Sequence, residues 1–244
     1  MAPRGSWSWF ICCALLSGAV ACGSGQAAAE RGATDGSGSD SRGTEAGAQT
    51  VKAGSDGTIK LLAPRTKGGM PFMEAMWQRR TQRRYQEKQL PLRTLSELMW
   101  AAVGVNRPGS GKRTNPTAMR QDEIDLYAAL PQGLFLYEPV EHVLKRIHTD
   151  DIRRLTGRQR LVRSAAVDLI FVADYERMEM SEEERVFYST VDTGYVSQNV
   201  YLFCAAERLG TVAIGMVDRG PLRAAMKLRP RQKIILTQAV GYPR

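Results

Sequence analysis

The tetrapeptide Ser181-Glu182-Glu183-Glu184 opens the longest helical pattern in the chain. It has capping-box spacing: a hydroxyl at the N-cap and a carboxylate at N3 satisfy each other's orphan backbone N–H groups. The pattern runs to about Leu209, and Gly210 follows it as the expected C-terminal cap. Phe187, Val191, Tyr195, Leu202 and Ala206 share one face of this helix. A wide apolar face on a long helix belongs at the centre of a domain or at a subunit interface. The remaining elements must be placed around it.

Those elements are mixed. Residues 71–80 read as a helix. Leu90-Pro91-Leu92 is an extended lead-in to a second capping box, Thr94-Leu95-Ser96-Glu97, which opens a helix over Leu95–Val103. Asn106 to Gly111 is loop, and Arg113 to Met119 is a structured loop. Ile124–Leu130 and Gly133–Tyr137 read as a strand pair around a Pro131-Gln132 turn. Residues 150–161 read as helical. Ala165–Ala173 is a buried strand interrupted by Asp168, Val212–Ile214 is short and extended, residues 219–227 form a small helix, and Gln232–Val240 is a closing strand. Helices and strands are interspersed without regular βαβ alternation, and neither GxGxxG nor a P-loop is present. The pattern specifies an α+β domain rather than a doubly wound sheet.

The N-terminus is organised differently. Arg4, the apolar run Trp9 to Leu16 and the small residues before Cys22 form the three parts of an export signal. The run falls short of the roughly 20 apolar residues that span a bilayer. Small residues directly before Cys22 resemble a bacterial lipoprotein processing site, which implies a leader over residues 1–21 and a lipid anchor on Cys22. Residues 22–57 are rich in Gly, Ala and Ser and read as a flexible tether. Residues 58–244, roughly 185 residues, fit one domain. This organisation places the protein in the cell envelope, anchored on the periplasmic side of a bacterial membrane.

The formal net charge is +9. Arg4 contributes +1. Residues 23–57 contribute −2, from Arg31, Arg42 and Lys52 against Glu30, Asp35, Asp40, Glu45 and Asp56, so the domain itself carries +10. Such a surface attracts anions, including phosphorylated cofactors and anionic lipid. The export signal and the absence of nucleic-acid-binding motifs argue against nucleic acid. Of four cysteines, Cys12 and Cys13 leave with the leader, Cys22 would carry lipid, and Cys204 remains as a small apolar core residue. With two histidines, His142 and His148, and no CxxC pair, no metal site is expected.

The segment Arg79-Arg80-Thr81-Gln82-Arg83-Arg84-Tyr85 concentrates four guanidinium groups. Read as helix, Arg79 and Arg83 pair at i,i+4, as do Arg80 and Arg84. The planar guanidinium fork matches a phosphate, so a phosphate ester between them relieves the repulsion; the other reading is a solvated basic face.

From here the order of motifs resembles the FMN-dependent nitroreductase family, in the branch related to oxidases that form thiazole rings in peptides. Four pieces match in order over residues 70–243. They are the Arg79–Tyr85 segment; Leu90-Pro91-Leu92 through Leu98-Met99-Trp100-Ala101-Ala102; Arg113 to Met119, in place of the family's Pro-Ser-Ala loop; and Asp192-Thr193-Gly194-Tyr195 with Gln198-Asn199, running to Leu209–Gly215 and Val240-Gly241-Tyr242-Pro243. The resemblance implies a nitroreductase-like fold with an antiparallel-rich central sheet flanked by helices, and a homodimer with the long helix at its interface. It implies FMN, with Arg79, Arg80, Thr81 and Arg83 on the phosphate, ribityl chain or polar ring edge. Pro116, Thr117 and Ala118 would line the opposite subunit's side of the flavin, and Ala213, Gly215 and Met216 would present backbone near the ring face and N5. Three residues depart from the family pattern: Arg120 and Asp122 stand where Asn and Gln are common, and Arg208 where Gly is usual.

The implied activity passes hydride or electrons through flavin N5 between a reduced donor and an organic acceptor. NAD(P)H is the family's donor; export would favour another. No catalytic side chain is required, because the chemistry is the flavin's. The alternative is an anchored, non-enzymatic binding lipoprotein that keeps the fold but has lost or weakened FMN binding.

Overall fold

The structure, a computed structural model, describes residues 49–244. The leader and Cys22, with the tether as far as residue 48, lie outside the described residues. In chain order the elements are β1 (Thr58–Lys60), α1 (Phe72–Gln78), α2 (Leu92–Val103), β2 (Val105–Arg107), β3 (Lys112–Arg113), β4 (Ile124–Leu130), β5 (Gly133–Glu138), β6 (Val143–His148), β7 (Val167–Asp174), α3 (Glu182–Ala206), β8 (Gly210–Ile214), α4 (Arg219–Met226) and β9 (Gln232–Gly241).

Seven strands form one sheet in the order β1-β6-β5-β4-β7-β9-β8, with every pair antiparallel. The architecture is the expected α+β one. Period-2 alternation divides the sheet's side chains between two cores. Leu126, Ala128 and Leu130 of β4, with Leu169 and Phe171 of β7, face α2 and α3. Tyr127 and Ala129, with Ile170 and Val172, face α4 and the residues around Ile152 and Val162. Both sheet faces are covered, so all of β7 is buried and it reads as an almost unbroken apolar run. Its interruption, Asp168, is fully buried, accepts the Thr156 hydroxyl at 2.8 Å and has its carboxyl pushed well up by burial.

Several sequence expectations need correction. The Thr94 capping box does not form: α2 starts at Leu92, with Pro91 before it. Glu97 is instead held by Arg65 in two bonds of 2.7 Å, so it cannot reach back to Thr94. Residues 150–161 are not an α-helix. They form short 3-10 turns at Arg153–Leu155 and Arg160–Arg163, separated at Gly157. A Cβ at Gly157 would come within 3.1 Å of both Ile214 and Val162, so the chain passes close to the core there. Strands β1, β2, β3 and β6 were not anticipated. Residues 49–57, assigned by composition to the tether, lie against the domain: Val51 is buried, and Gln49 O accepts the Leu92 N–H at 3.0 Å.

The capping box on α3 forms as expected, with Ser181 and Glu184 bonding reciprocally. Its C-terminal end differs. Arg208, not Gly210, takes the left-handed conformation (φ 56°), and Leu209 N–H reaches back to Cys204 O at 2.7 Å. Gly210 opens β8. The face turned into the protein also differs: it is the stripe Ser189, Asp192, Thr193, Val196, Ser197, Val200 and Cys204, while Phe187 and Tyr195 are exposed. Small side chains let α3 approach the sheet closely; Tyr188 and Phe203 pack partly against the core, and Phe187 and Tyr195 are left outside.

Candidate functional site

The Arg-rich segment is not helical. Helix α1 ends at Gln78, and the chain runs extended along the sheet edge because its backbone finds partners there. Gln82 N–H donates to Thr211 O and Gln86 N–H to Tyr242 O, both at 2.9 Å. Tyr85 bridges to Pro243, and its hydroxyl donates to Gln82 O at 2.7 Å. Gly210 and Gly241 make room: a Cβ on Gly210 would lie 2.9 Å from Gln82 Cγ, and one on Gly241 3.3 Å from the Tyr85 ring. The i,i+4 pairing of the arginines is therefore replaced by an extended array.

Tyr201, on α3, joins that array to the end of β8. The Arg79 guanidinium lies 5.3 Å over its ring. The Tyr201 hydroxyl sits 3.4 Å from Thr81 Oγ1 and accepts the Ala213 N–H at 3.0 Å. A cleft of about 310 Å³ opens beside it, where Arg80 and Gln82 meet Arg208 from the α3 exit. Arg80 and Arg208 supply two cations and the lining holds no carboxylate, a composition suited to an anion. Arg83 is placed apart from this cleft, in a wider one with Arg84, Arg160 and Arg244. The thiol of Cys204 is buried with its pKa pushed far up by burial, so it is an inert lining residue.

Beyond β8 the chain turns out into solvent. Gly215 and Met216 are exposed, and a Cβ on Gly215 would meet nothing within 4 Å. The Met216 carbonyl is held by Arg158 N–H at 3.2 Å. Of the three residues expected to offer backbone, Ala213 has its N–H occupied by Tyr201, while Gly215 and Met216 donate to no acceptor among the described residues.

The Pro116–Ala118 loop docks elsewhere on α3. Ala118 N–H donates to Asp192 Oδ2 at 2.7 Å, and Thr117 Oγ1 donates to Glu123 Oε2 at 3.0 Å while accepting Asp122 N–H at 3.1 Å. Met119, Arg120 and Asp122 all have positive φ, of 48°, 60° and 47°. Three non-glycine residues in the left-handed region within four positions store backbone strain, which persists only where surrounding contacts impose it. Arg120 is exposed and, with Arg107, Lys112 and Arg113, lines a cleft of about 490 Å³ beside this loop. Burial raises the Glu123 carboxyl to about 7, with nearby Asp192 adding to the effect. Asp192 lies nine residues before Tyr201, which is roughly 13 Å along the helix axis. Within one chain the loop and the arginine array thus occupy separate stations on α3.

Tyr201, Asp192 and Glu123 were not singled out as site residues from sequence. Tyr201 and Asp192 act by contacts remote in sequence; Glu123 bonds Thr117, six residues away, and the one local clue to it is a carboxylate set directly before an apolar strand.

The model of the nitroreductase family matches residues 76–242, more than half of the chain and all of the stations just described. The chain belongs to the nitroreductase family. As a nitroreductase-family protein it is an oxidoreductase. A candidate nitroreductase of Methanocaldococcus jannaschii is 29% identical over 167 residues, covering 64% of this chain and 84% of that protein. The crystal structure of a candidate nitroreductase from Ralstonia eutropha superposes with a TM-score of 0.75 at 39% identity, covering 80% of this chain and 94% of that one. A candidate nitroreductase of Desulfovibrio desulfuricans, crystallised in complex with FMN, shares the fold with a TM-score of 0.53 at 21% identity, covering 72% and 88%.

Proposed function

We propose that this nitroreductase-family chain is an FMN-dependent oxidoreductase that acts as a homodimer. The observation that carries the reading is the junction at Tyr201, where Arg79, Thr81 and the end of β8 converge on one phenol. FMN, when bound, supplies hydride or electron exchange at N5 between a reduced donor and an electron-poor organic acceptor. The residues present fit such a group. Arg79, Arg80 and Thr81 provide the charge-assisted and hydroxyl donors that a phosphate and ribityl chain require. Tyr201 fixes Thr81 and the neighbouring strand end, and Gly215 leaves open space against which a planar ring can lie. Arg83, which lines the separate cleft with Arg84, Arg160 and Arg244, is not part of this set.

Homodimerisation is supported by an apolar surface with no partner within the described residues. On α1, Phe72, Met73, Met76 and Trp77 are exposed, Trp77 to 91%. On the adjoining α3, Val186, Phe187 (62%) and Tyr195 are exposed as well. In a dimer of the kind the family resemblance implies, the Pro116–Ala118 loop of one copy would line the flavin of the other. Lipid anchoring at Cys22 would place the enzyme in the envelope, away from cytoplasmic NAD(P)H, and a quinone or oxygen partner suits that position. Mass spectrometry of the membrane fraction tests the anchor: an unmodified Cys22 removes it.

The central test is colour. Purified protein should carry a flavin absorbance band and release FMN on denaturation, and Arg79→Ala should weaken FMN binding by at least tenfold, since charge-assisted bonds contribute about 1.5–3 kcal/mol. Colourless protein that takes up no added FMN would contradict the proposal and favour the binding-lipoprotein alternative.

A further inference from the structure

Two carboxyl groups hold the Pro116–Ala118 loop at adjacent residues. Asp192, on α3, takes the Ala118 N–H, and Glu123, at the entry to β4, takes the adjacent Thr117 hydroxyl. Both acids are buried, Glu123 completely. Glu123 Oε1 has no hydrogen-bond partner, an arrangement that costs more for a buried carboxylate than for a neutral carboxylic acid. The loop between them is the strained stretch in which Met119, Arg120 and Asp122 have positive φ. A segment under strain stays in place only while its contacts outweigh the strain.

We infer that Glu123 and Asp192 are positioning residues that together clamp the Pro116–Ala118 loop, Glu123 as a buried neutral acid, and that losing the Glu123 proton releases the loop. The inference rests on the FMN reading only for what the loop then does, which is to line the partner copy's flavin. The cations nearby are committed elsewhere. Arg113 lies 3.5 Å from Asp122, and Arg177 binds Asp122 O, Asp125 and Asp174. None of them contributes to the Glu123 carboxyl, whose proton is held by burial and by Asp192.

The sign follows from linkage. A Glu raised to about 7 in the folded clamp and lying at its ordinary value of 4.5 when released binds its proton more tightly in the clamp. Clamping is therefore fully favoured below the ordinary Glu range and is lost as the pH rises through about 7. Between about pH 6 and about pH 8 the opening equilibrium should increase roughly tenfold.

Hydrogen exchange on the full chain without FMN reads this directly, at the Ala118 amide and corrected for intrinsic rates. The wild type should lose about tenfold in protection over that interval, and Glu123→Gln, which keeps a neutral group able to donate to Asp192, should be flat. Asp192→Asn is the second variant, should the first fail to fold; burial still raises the Glu123 carboxyl there, so its loss of protection should be smaller than the wild type's without vanishing. Equal wild-type protection at both pH values, or an unchanged slope in the variants, overturns the clamp. FMN titration over the same range should show a parallel loss of affinity in the wild type alone. A chain that binds no FMN at any pH while showing the exchange pattern would overturn the cofactor reading and leave the clamp standing.

Discussion

The two sides of α3 invert the usual amphipathic arrangement. The side packed on the sheet is built from small and polar residues, Ser189, Asp192, Thr193, Val196, Ser197, Val200 and Cys204. The opposite side carries the large apolar residues Phe187 and Tyr195, and the neighbouring α1 exposes Phe72, Met73, Met76 and Trp77. A surface helix normally hides its large apolar stripe and shows its polar one. Here the inner face favours close approach and hydrogen bonding: Ser197 binds Gln238, Asp192 binds the loop, and Val196, Val200 and Cys204 fill the narrow gap. The outer face is left for something that buries it. The contrast is what the proposed dimer would require: the sheet completes the inner side, and a second copy of the chain would complete the outer one.

The largest effect should come from breaking the outer face. Replacing Trp77 and Phe187 together by Asp places charge on that surface, and burying an unpaired carboxylate costs several kcal/mol. The proposed dimer should weaken by a thousandfold or more, measured by sedimentation, with the monomer still folded. A wild type that sediments as a monomer at high concentration would show that the apolar face serves another purpose.

The inner face should respond in stability instead. Ser197 Oγ donates to Gln238 Oε1 at 2.9 Å, and Gln238 Nε2 continues to Thr211 Oγ1 at 3.0 Å. Ser197→Ala leaves a buried amide oxygen without a donor and should cost about 1–3 kcal/mol by urea unfolding, without changing the state of association. Tyr201→Phe comes next. It removes the acceptor of the Ala213 N–H and the contact with Thr81, for about 1 kcal/mol of stability. Because that phenol also sets Thr81 and the β8 end, FMN affinity should fall severalfold more than stability alone explains.

How far the sequence revealed these features depends on the range of the contacts. The Ser181 capping box was legible because its hydroxyl and carboxylate act within one turn. The same spacing at Thr94 misled because Glu97 is captured by Arg65, 32 residues away. Long alternating or apolar strands such as β4, β7 and β9 were legible from pattern, but β6 (Val-Leu-Lys-Arg-Ile-His) was not, since its mixed polarity fits no single period. The arginine cluster was visible as composition, and the family's motif order pointed to its role. Its extended geometry was not, because that geometry depends on bonds to Thr211 and Tyr242 from the far end of the chain. The turns between residues 150 and 163 follow the same rule: Thr156 is turned toward Asp168 and Thr237 rather than along a helix.

The smallest predicted effect lies where α3 ends. Arg208 occupies the left-handed position at φ 56°, with Leu209 N–H closing the turn onto Cys204 O. This is the position where helices most often carry glycine, because a Cβ there meets the neighbouring carbonyl. Arg208→Gly should relieve that strain and return only part of the gain as unfolded-chain entropy, raising stability by about 0.5–1 kcal/mol. The same change removes a cation from the cleft that holds Arg80. If Arg208 helps to hold an anionic tail there, the variant should unfold at a higher temperature than the wild type without FMN, and that advantage should shrink or reverse when FMN is added. Equal gains with and without FMN would mean that Arg208 does no more than end the helix, at the cost of its own backbone strain.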